Sequence, residues 1–582
     1  METQEFVAQV TGVPSSRVNA RVKRMGGAFG GKESRSVQLA CLLAVAAKKT
    51  KRPVRCMLNR DEDMMTSGQR HPIQARWKVG VQSNGKLIAL EADVYNNAGF
   101  SQDMSAAVMG RCLTHFENCY EIPNVLLRGH VCKTNTHSNT AFRGFGGPQA
   151  MFFAETYMTA ISEGLNIPID ELRVMNLYKQ GDHTPFLQTI DQDWNVPLLL
   201  EKIKHETQYS QRLLEVEKYN KEHKYRKRGI SLLPTKFGLS FATALHLNQA
   251  SASLKIYADG SVLLNHGGTE MGQGLYTKMT QICAQELGVP VSSVFTQDTS
   301  SYQTANASPT AASSGSDLNG MAIMDACKQL NERLAPYREK MGKDTSMKDL
   351  AHAAYRDRVH LSASGFWKMP RIGYEWGVYD KDKVKDMYYY FTQGVAATEV
   401  ELDVLTGHHT ILRTDILMDI GRSINPAIDY GQIEGAYVQG LGLFTMEESL
   451  WTKEGQLFTK GPGTYKIPGF ADIPQIFNVS FLKDEEGKEK MWQGLKSVQS
   501  SKGVGEPPLF LGAGAFFALR MAVRSAREDN GLGTKSEDGK RGWNLDSPAT
   551  VERLRMAVGD EISEMGKVER KEGQSNFFVS VA

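Results

Sequence analysis

Glu506 stands in Gly505-Glu506-Pro507-Pro508, directly ahead of an apolar run, Leu509 to Val523, whose pattern predicts a helix. Proline holds the residue before it extended, a helix N-terminus favours a carboxylate, and apolar surroundings disfavour one. Opposed terms of this kind can poise a carboxylate as a general base; a helix-capping glutamate explains the same residues equally well. Arg143 lies inside Ala141-Phe142-Arg143-Gly144-Phe145-Gly146-Gly147-Pro148. There, backbone N–H groups could converge on an anion or oxo group, or the segment could be a tight turn with an exposed arginine. Gly268-Thr269-Glu270-Met271-Gly272-Gln273-Gly274 lacks the spacing of a dinucleotide fingerprint but could cradle another phosphate-bearing cofactor. Gly26 to Lys32 has P-loop spacing, yet Glu33 follows the lysine where magnesium binding needs Ser or Thr, so an ATPase is excluded. His205-Glu206 has Tyr209 where a zinc site needs a second histidine, and no G-x-S-x-G occurs, which removes zinc peptidases and serine hydrolases.

The glycine clusters open helices. Ser34 to Ala47 follows the first, Pro148 to Leu165 the second, with proline at a favoured first position, and Tyr276 to Leu287 the third. Strand patterns come in pairs: Trp77 to Val81 with Leu87 to Tyr95 around Ser-Asn-Gly, and Ser253 to Tyr257 with Ser261 to Leu264 around Asp-Gly. Val395 to Val404 pairs with Thr410 to Met418 around Thr-Gly. Paired strands with helices between them predict a mixed α+β architecture of several packed subdomains. Two charged stretches, Glu201 to Arg228 and Leu482 to Lys502, read as solvated faces or linkers, the first dividing the chain near residue 200. Glu528 to Gly542 reads as a loop.

Composition limits the partners. Over 582 residues, 68 Lys plus Arg against 65 Asp plus Glu leave +3, too little for a polyanion partner such as nucleic acid. The longest apolar run, Leu39 to Ala47, is far short of the roughly 18 residues that span a bilayer, so no membrane partner is expected. The N-terminus lacks the basic and apolar regions of a secretory signal, and a cytoplasmic location is the expectation. Seven cysteines without a C-x-x-C pair argue against a disulfide framework, a zinc ribbon or an iron–sulfur cluster within these residues. Glycine, at 54 residues, is about 9% of the chain against roughly 7% typically, and its clustering carries the information.

Taken in order, KRMGGAFGGKE, NTAFRGFGGPQA, HGGTEMGQGL, SPTAAS, NPAID-x-GQIEGAYVQGLGLF and GVGEPPLF resemble the molybdenum-binding part of the xanthine dehydrogenase/aldehyde oxidase family. The resemblance extends over nearly the whole chain. It implies a molybdenum–molybdopterin cofactor between two large subdomains, residues 1–200 and 201–480, with a C-terminal segment, 481–582, carrying Glu506 and packed on the second. It also implies hydroxylation of an electron-poor ring carbon with oxygen from water, Glu506 being the base. Phe29, Arg143 and Ala312 look like the ring of groups around the metal, and Gln273 and Gln439 like the cofactor contacts.

Glu33 and Arg111 stand where aldehyde-oxidising relatives typically carry nonpolar residues, and Phe145 and Phe241 match the two rings that sandwich the substrate. The purines hypoxanthine and xanthine are therefore the expected substrates, oxidised in the direction of urate, with an aldehyde oxidase as the neighbouring alternative. Two departures stand out. The family usually has Thr directly after the equivalent of Phe241, whereas this chain reads Phe241-Ala242-Thr243. The resemblance also implies that the preceding cofactor-contacting segment, and the 2Fe-2S and FAD domains, lie outside these residues, in a longer chain or a partner subunit. The isolated piece is then expected to be inactive, and a homodimer is the family expectation. A noncatalytic remnant or dimerisation scaffold is the alternative of a different class.

Overall fold

The computed structural model describes residues 1–566 apart from 192, 343, 381, 484–491, 493 and 534–542. All three turn-defined hairpins form, and each is longer than its alternating core. Ile73–Val81 pairs antiparallel with Leu87–Gly99, Gln249–Ile256 with Val262–His266, and Tyr390–Asp403 with His409–Asp419. The sheets built on them are mixed. Asn124–Lys133 adds parallel to Leu87–Gly99, and Ile476–Phe481 adds parallel to His409–Asp419. The four-stranded central sheet runs Ile476–Phe481, His409–Asp419, Tyr390–Asp403, Arg226–Leu239.

Strand Arg226–Leu239 is nearly continuous in its burial, as a strand covered on both faces must be. Helix Ala513–Asp529 lies against it so closely that a Cβ on Gly229 would sit 1.8 Å from the Ala518 carbonyl oxygen. Phe510, Phe516 and Leu519 pack there with Leu233, Phe237, Val400 and Leu402. A second core joins the N-terminal elements to the same sheet: Leu90, Phe116, Tyr157 and Leu199 form one cluster with Ile230, Leu232, Val395, Ala397 and Leu417. A third encloses Leu254, Leu264, Ile282, Cys327 and Leu330 beneath the sheet of Gln249–Ile256, Val262–His266, Val294–Thr296 and Ser362–Lys368.

The two charged stretches differ from the sequence expectation. Glu201 to Arg228 is not simply a solvated divider: Val196–Glu206 and Tyr209–Glu222 are helices whose Ile203, Tyr209 and Val216 enter the core, and buried Arg212 pairs with Glu399 and Asp415. The charges occupy one face of an amphipathic pair. The second charged stretch contains residues 484–491 and 493, which lie outside the described residues, but its flanks are interior. Trp492 and Val498 are buried, and Lys502 pairs with both Asp193 and Asp419 at 2.8 Å. Finally, Pro507–Asp529 has the length and apolarity of a membrane span, yet most of it is buried inside the fold, so its apolarity serves the core. The loop reading of Glu528 to Gly542 falls partly on 534–542, outside the described residues; Glu528 and Asp529 finish the preceding helix.

Candidate active site

The glycine-rich turns converge on one cavity of about 1250 Å³. Its wall includes Phe29, Glu33, Arg111, Arg143, Phe145, Phe241, Gln273, Ala312 and Glu506. Several wall residues hold left-handed backbone although they carry side chains: Phe29 at φ 53, Phe145 at 50, Ala242 at 45, Ala312 at 53 and Ser313 at 54. Each such residue costs of order 1 kcal/mol or more, and a concentration of them around one void marks a shape imposed by the surrounding fold. Gly30 explains part of it. Its φ is +104, and a Cβ there would lie 2.5 Å from the Ala141 carbonyl oxygen, so only glycine lets the first loop pass over the second.

Glu506 precedes a 3-10 turn, Pro507–Gly512, that leads into helix Ala513–Asp529. Its side chain does not cap that turn. It reaches across instead: Gly144 N–H donates to Oε1 at 2.9 Å and the Ser313 hydroxyl donates to Oε2 at 3.0 Å. The two bonds fix the plane of its carboxyl group. Arg143, the residue before Gly144, is buried and donates from Nε to the Gly505 carbonyl. Its Nη1 bonds Gln439 Oε1 at 3.2 Å, and its Nη2 bonds the Gln432 carbonyl at 3.1 Å. Burial draws its pKa down to about 10, partly offset by the Glu506 charge. The exposed-turn reading of Arg143 is thereby excluded.

Glu33 faces the same space without any hydrogen bond to its carboxyl from a described residue. Burial, the Glu506 charge, and then Glu2 and Asp103 push it up to about 8, so it is a neutral acid at pH 7. Arg111, on helix Ser105–Leu113, is 4% exposed and donates to the Gly238 carbonyl at 2.7 Å and the Ser240 carbonyl at 2.6 Å. Its guanidinium lies 5.1 Å from the Phe237 ring centre and 5.2 Å from that of Tyr388. The backbone N–H of Phe241 is held by Asn248 Oδ1 at 2.8 Å, and Ala242 and Thr243 complete that part of the wall. In the loop ahead of helix Leu275–Leu287, Gln273 Nε2 donates to the Thr269 carbonyl at 2.9 Å, and Glu270 accepts from Gly272, Gly274 and Tyr276 N–H groups.

Gln439 is the one candidate that is not on the wall; it lies behind Arg143, and Gln432, seven residues earlier on helix Pro426–Thr445, lines the cavity instead. The sequence reading also passed over Ser313 and Arg70, whose Nη2 donates to the Arg143 carbonyl at 2.9 Å. A seven-residue spacing on one helix was the available signal for Gln432.

The cavity suits a large group that brings its own metal ligands. Among the described residues, no three His, Cys, Asp or Glu side chains are grouped to hold a metal. A Cβ built on Gly26 or Gly272 meets nothing within 4 Å, so both wall glycines leave room where a side chain would intrude. The wall is made largely of backbone and small or neutral side chains, with Glu33, Glu506, Arg111 and Arg143 among the ionisable groups that face it. These features define a protein built to hold a large bound group.

Two molybdopterin cofactor-binding domain models match, at residues 1–177 and 202–474. The chain belongs to the molybdenum hydroxylases of the xanthine dehydrogenase/aldehyde oxidoreductase type, and its cofactor is molybdenum–molybdopterin. It is 67% identical over its whole length to the nicotinate hydroxylase of Emericella nidulans, 58% to the xanthine dehydrogenase of the same organism and 50%, over 97% of the chain, to the xanthine dehydrogenase/oxidase of Gallus gallus. It spans about two-fifths of each of these relatives, 41%, 41% and 40%. The fold is similar to that of the aldehyde oxidoreductase from Desulfovibrio gigas, with a TM-score of 0.81 and 23% identity over 96% of this chain and 56% of the other. Quinoline 2-oxidoreductase from Pseudomonas putida 86 gives 0.78 and 22% over 96% and 70%.

Proposed function

We propose that this chain is the molybdenum-cofactor portion of a longer hydroxylase that oxidises a nitrogen heteroaromatic ring, hypoxanthine and xanthine first, with water as the oxygen source. The observation that carries this reading is the meeting of Glu506, Glu33 and Arg111 on one cavity with Phe145 and Phe241. When bound, the cofactor supplies the acceptor for the two electrons that hydroxylation removes. Glu506 is the general base. Gly144 N–H and the Ser313 hydroxyl each occupy one lone-pair direction of its oxygens, leaving the others to take a proton from the attacking oxygen. Phe145 and Phe241 hold the ring by its faces. Glu33, protonated at pH 7, donates to a ring nitrogen or carbonyl, while the Arg111 cation stabilises negative charge that grows on the ring. The buried Glu33 carboxyl, which has no partner among the described residues, disfavours a substrate that leaves it unpaired, such as a simple aldehyde.

Nicotinate is the second reading. The relative with 67% identity is named for it, and the wall at Phe241-Ala242-Thr243, with Ala242 in a left-handed conformation, departs from the usual family pattern. A neutral Glu33 beside a cationic Arg111 also tolerates a substrate carboxylate. The two electrons then leave through iron–sulfur and FAD domains in the remainder of the protein, so these residues alone do not turn over. Steady-state turnover of the full-length protein on hypoxanthine, xanthine, nicotinate and benzaldehyde tests the assignment. Purine turnover supports the first reading, nicotinate turnover without purine turnover selects the second, and benzaldehyde as the best substrate overturns both. A cofactor-loaded full-length protein inert on all four is instead the noncatalytic scaffold.

A further inference from the structure

We propose that Arg143 is a positioning residue whose guanidinium fixes the backbone that carries Glu506, with Gln439 and Gln432 fixing the guanidinium in turn. The proposal rests on the reading of Glu506 as the base. Two consecutive residues of one loop grip two consecutive residues of another that is 362 positions away in sequence: Arg143 Nε holds the Gly505 carbonyl, and Gly144 N–H holds the Glu506 carboxylate. The gripping loop is itself anchored from both sides. Arg143 N–H donates to the Phe29 carbonyl at 2.7 Å, and the Arg143 carbonyl accepts from Arg70 Nη2 at 2.9 Å.

A direct ion pair does not account for this buried arginine. Arg143 makes no ion pair with any described carboxylate; its acceptors are the Gly505 and Gln432 carbonyls and the Gln432 and Gln439 amide oxygens. Burying a cation against neutral oxygens does not stabilise a fold as cheaply as an apolar side chain would. What it provides is direction. A planar fork with five N–H donors can hold three different groups at fixed angles, whereas an ammonium on a flexible stem cannot. Gln439, which the resemblance assigns to the cofactor, here spends its amide oxygen on this fork, and Gln432 does the same from one helix face. Misplacing a reacting group by about 1 Å can cost about 100-fold in rate, which is the effect such a fork would prevent.

The test uses the complete, cofactor-loaded protein carrying Arg143→Lys, Gln439→Leu or Arg143→Ala. Arg143→Lys is expected to lower kcat by about 30-fold or more, with KM within about threefold and molybdenum content retained. Gln439→Leu is expected to lower kcat less, in the same pattern. Guanidinium chloride in the millimolar range is expected to recover part of the kcat of Arg143→Ala, where ammonium chloride does not. In the cofactor-free protein, Arg143→Lys is expected to accelerate amide exchange in peptides covering 143–147 and 503–506 and nowhere else. An unchanged kcat in Arg143→Lys, no discrimination between guanidinium and ammonium, or accelerated exchange throughout the fold overturns the proposal. Glu506→Ala is measured alongside: if it keeps full activity the base reading fails, while the exchange data still report on the grip. If it is inactive and Arg143→Lys is normal, only the grip fails.

Discussion

Glu33 and Glu506 look into the same cavity from walls of opposite construction. Glu506 is met by two donors, Gly144 N–H and the Ser313 hydroxyl, the first on the loop that Arg143 ties to the Gly505 carbonyl. Glu33 is met by none among the described residues, and burial together with the charges of Glu506, Glu2 and Asp103 raises it to about 8. The side chains are chemically identical, so the proposed division of labour between them rests on their surroundings: donors aimed at Glu506, and burial beside like charges at Glu33. One wall presents an acceptor of protons, the other a holder of one.

Removing the acceptor gives the largest effect. Glu506→Ala in the full-length protein should cut turnover by about 10²- to 10⁴-fold while metal analysis finds near-normal molybdenum; full activity would move the base elsewhere. Arg111→Met should cost about 10- to 100-fold on a heteroaromatic substrate and less on an aldehyde. Equal losses on both would mean that Arg111 serves chiefly to tie the Gly238 and Ser240 carbonyls. Glu33→Gln sharpens the comparison through pH.

Because the folded protein raises this carboxyl from 4.5 to about 8, the unfolded chain binds fewer protons between those values. The contribution is complete below the unfolded value and is lost as pH rises through the folded one. Gln cannot ionise. In the cofactor-free protein, the variant's melting temperature should match the parent's near pH 5 and exceed it near pH 9; an unchanging difference would show that Glu33 ionises normally. The smallest effect belongs to Ala312, beside Ser313 on the Glu506 wall. Relief of its φ of 53 by Ala312→Gly, offset by the freer unfolded chain, should stabilise by no more than about 1 kcal/mol in urea unfolding. A loss instead would show that the methyl group is packed.

Local chemistry was legible and long-range pairing was not. The Asp-Gly and Thr-Gly hairpins, and the helices after the glycine clusters, follow from turn residues and periodicity within a few positions. Strand Arg226–Leu239 was hidden because it opens with Arg226, Lys227 and Arg228, which resemble a surface tract. Lys227 is fully buried and neutralised by Asp529, three hundred residues on, a partner no window reveals. The candidate residues chosen by resemblance, Gln439 apart, line one cavity, but spacing could not tell Gln432 from Gln439, seven residues apart on one helix. Ser313 was unremarked because a serine donating to a glutamate 193 positions away has no local signature.

The two matched lengths, 1–177 and 202–474, join at a seam in the text that is not a seam in the substance. Leu90 and Phe116 from one side share an interior with Val395 and Leu417 from the other. Cutting between them would bare apolar surface on both pieces, so the two lengths are expected to fold as one unit rather than as separable modules.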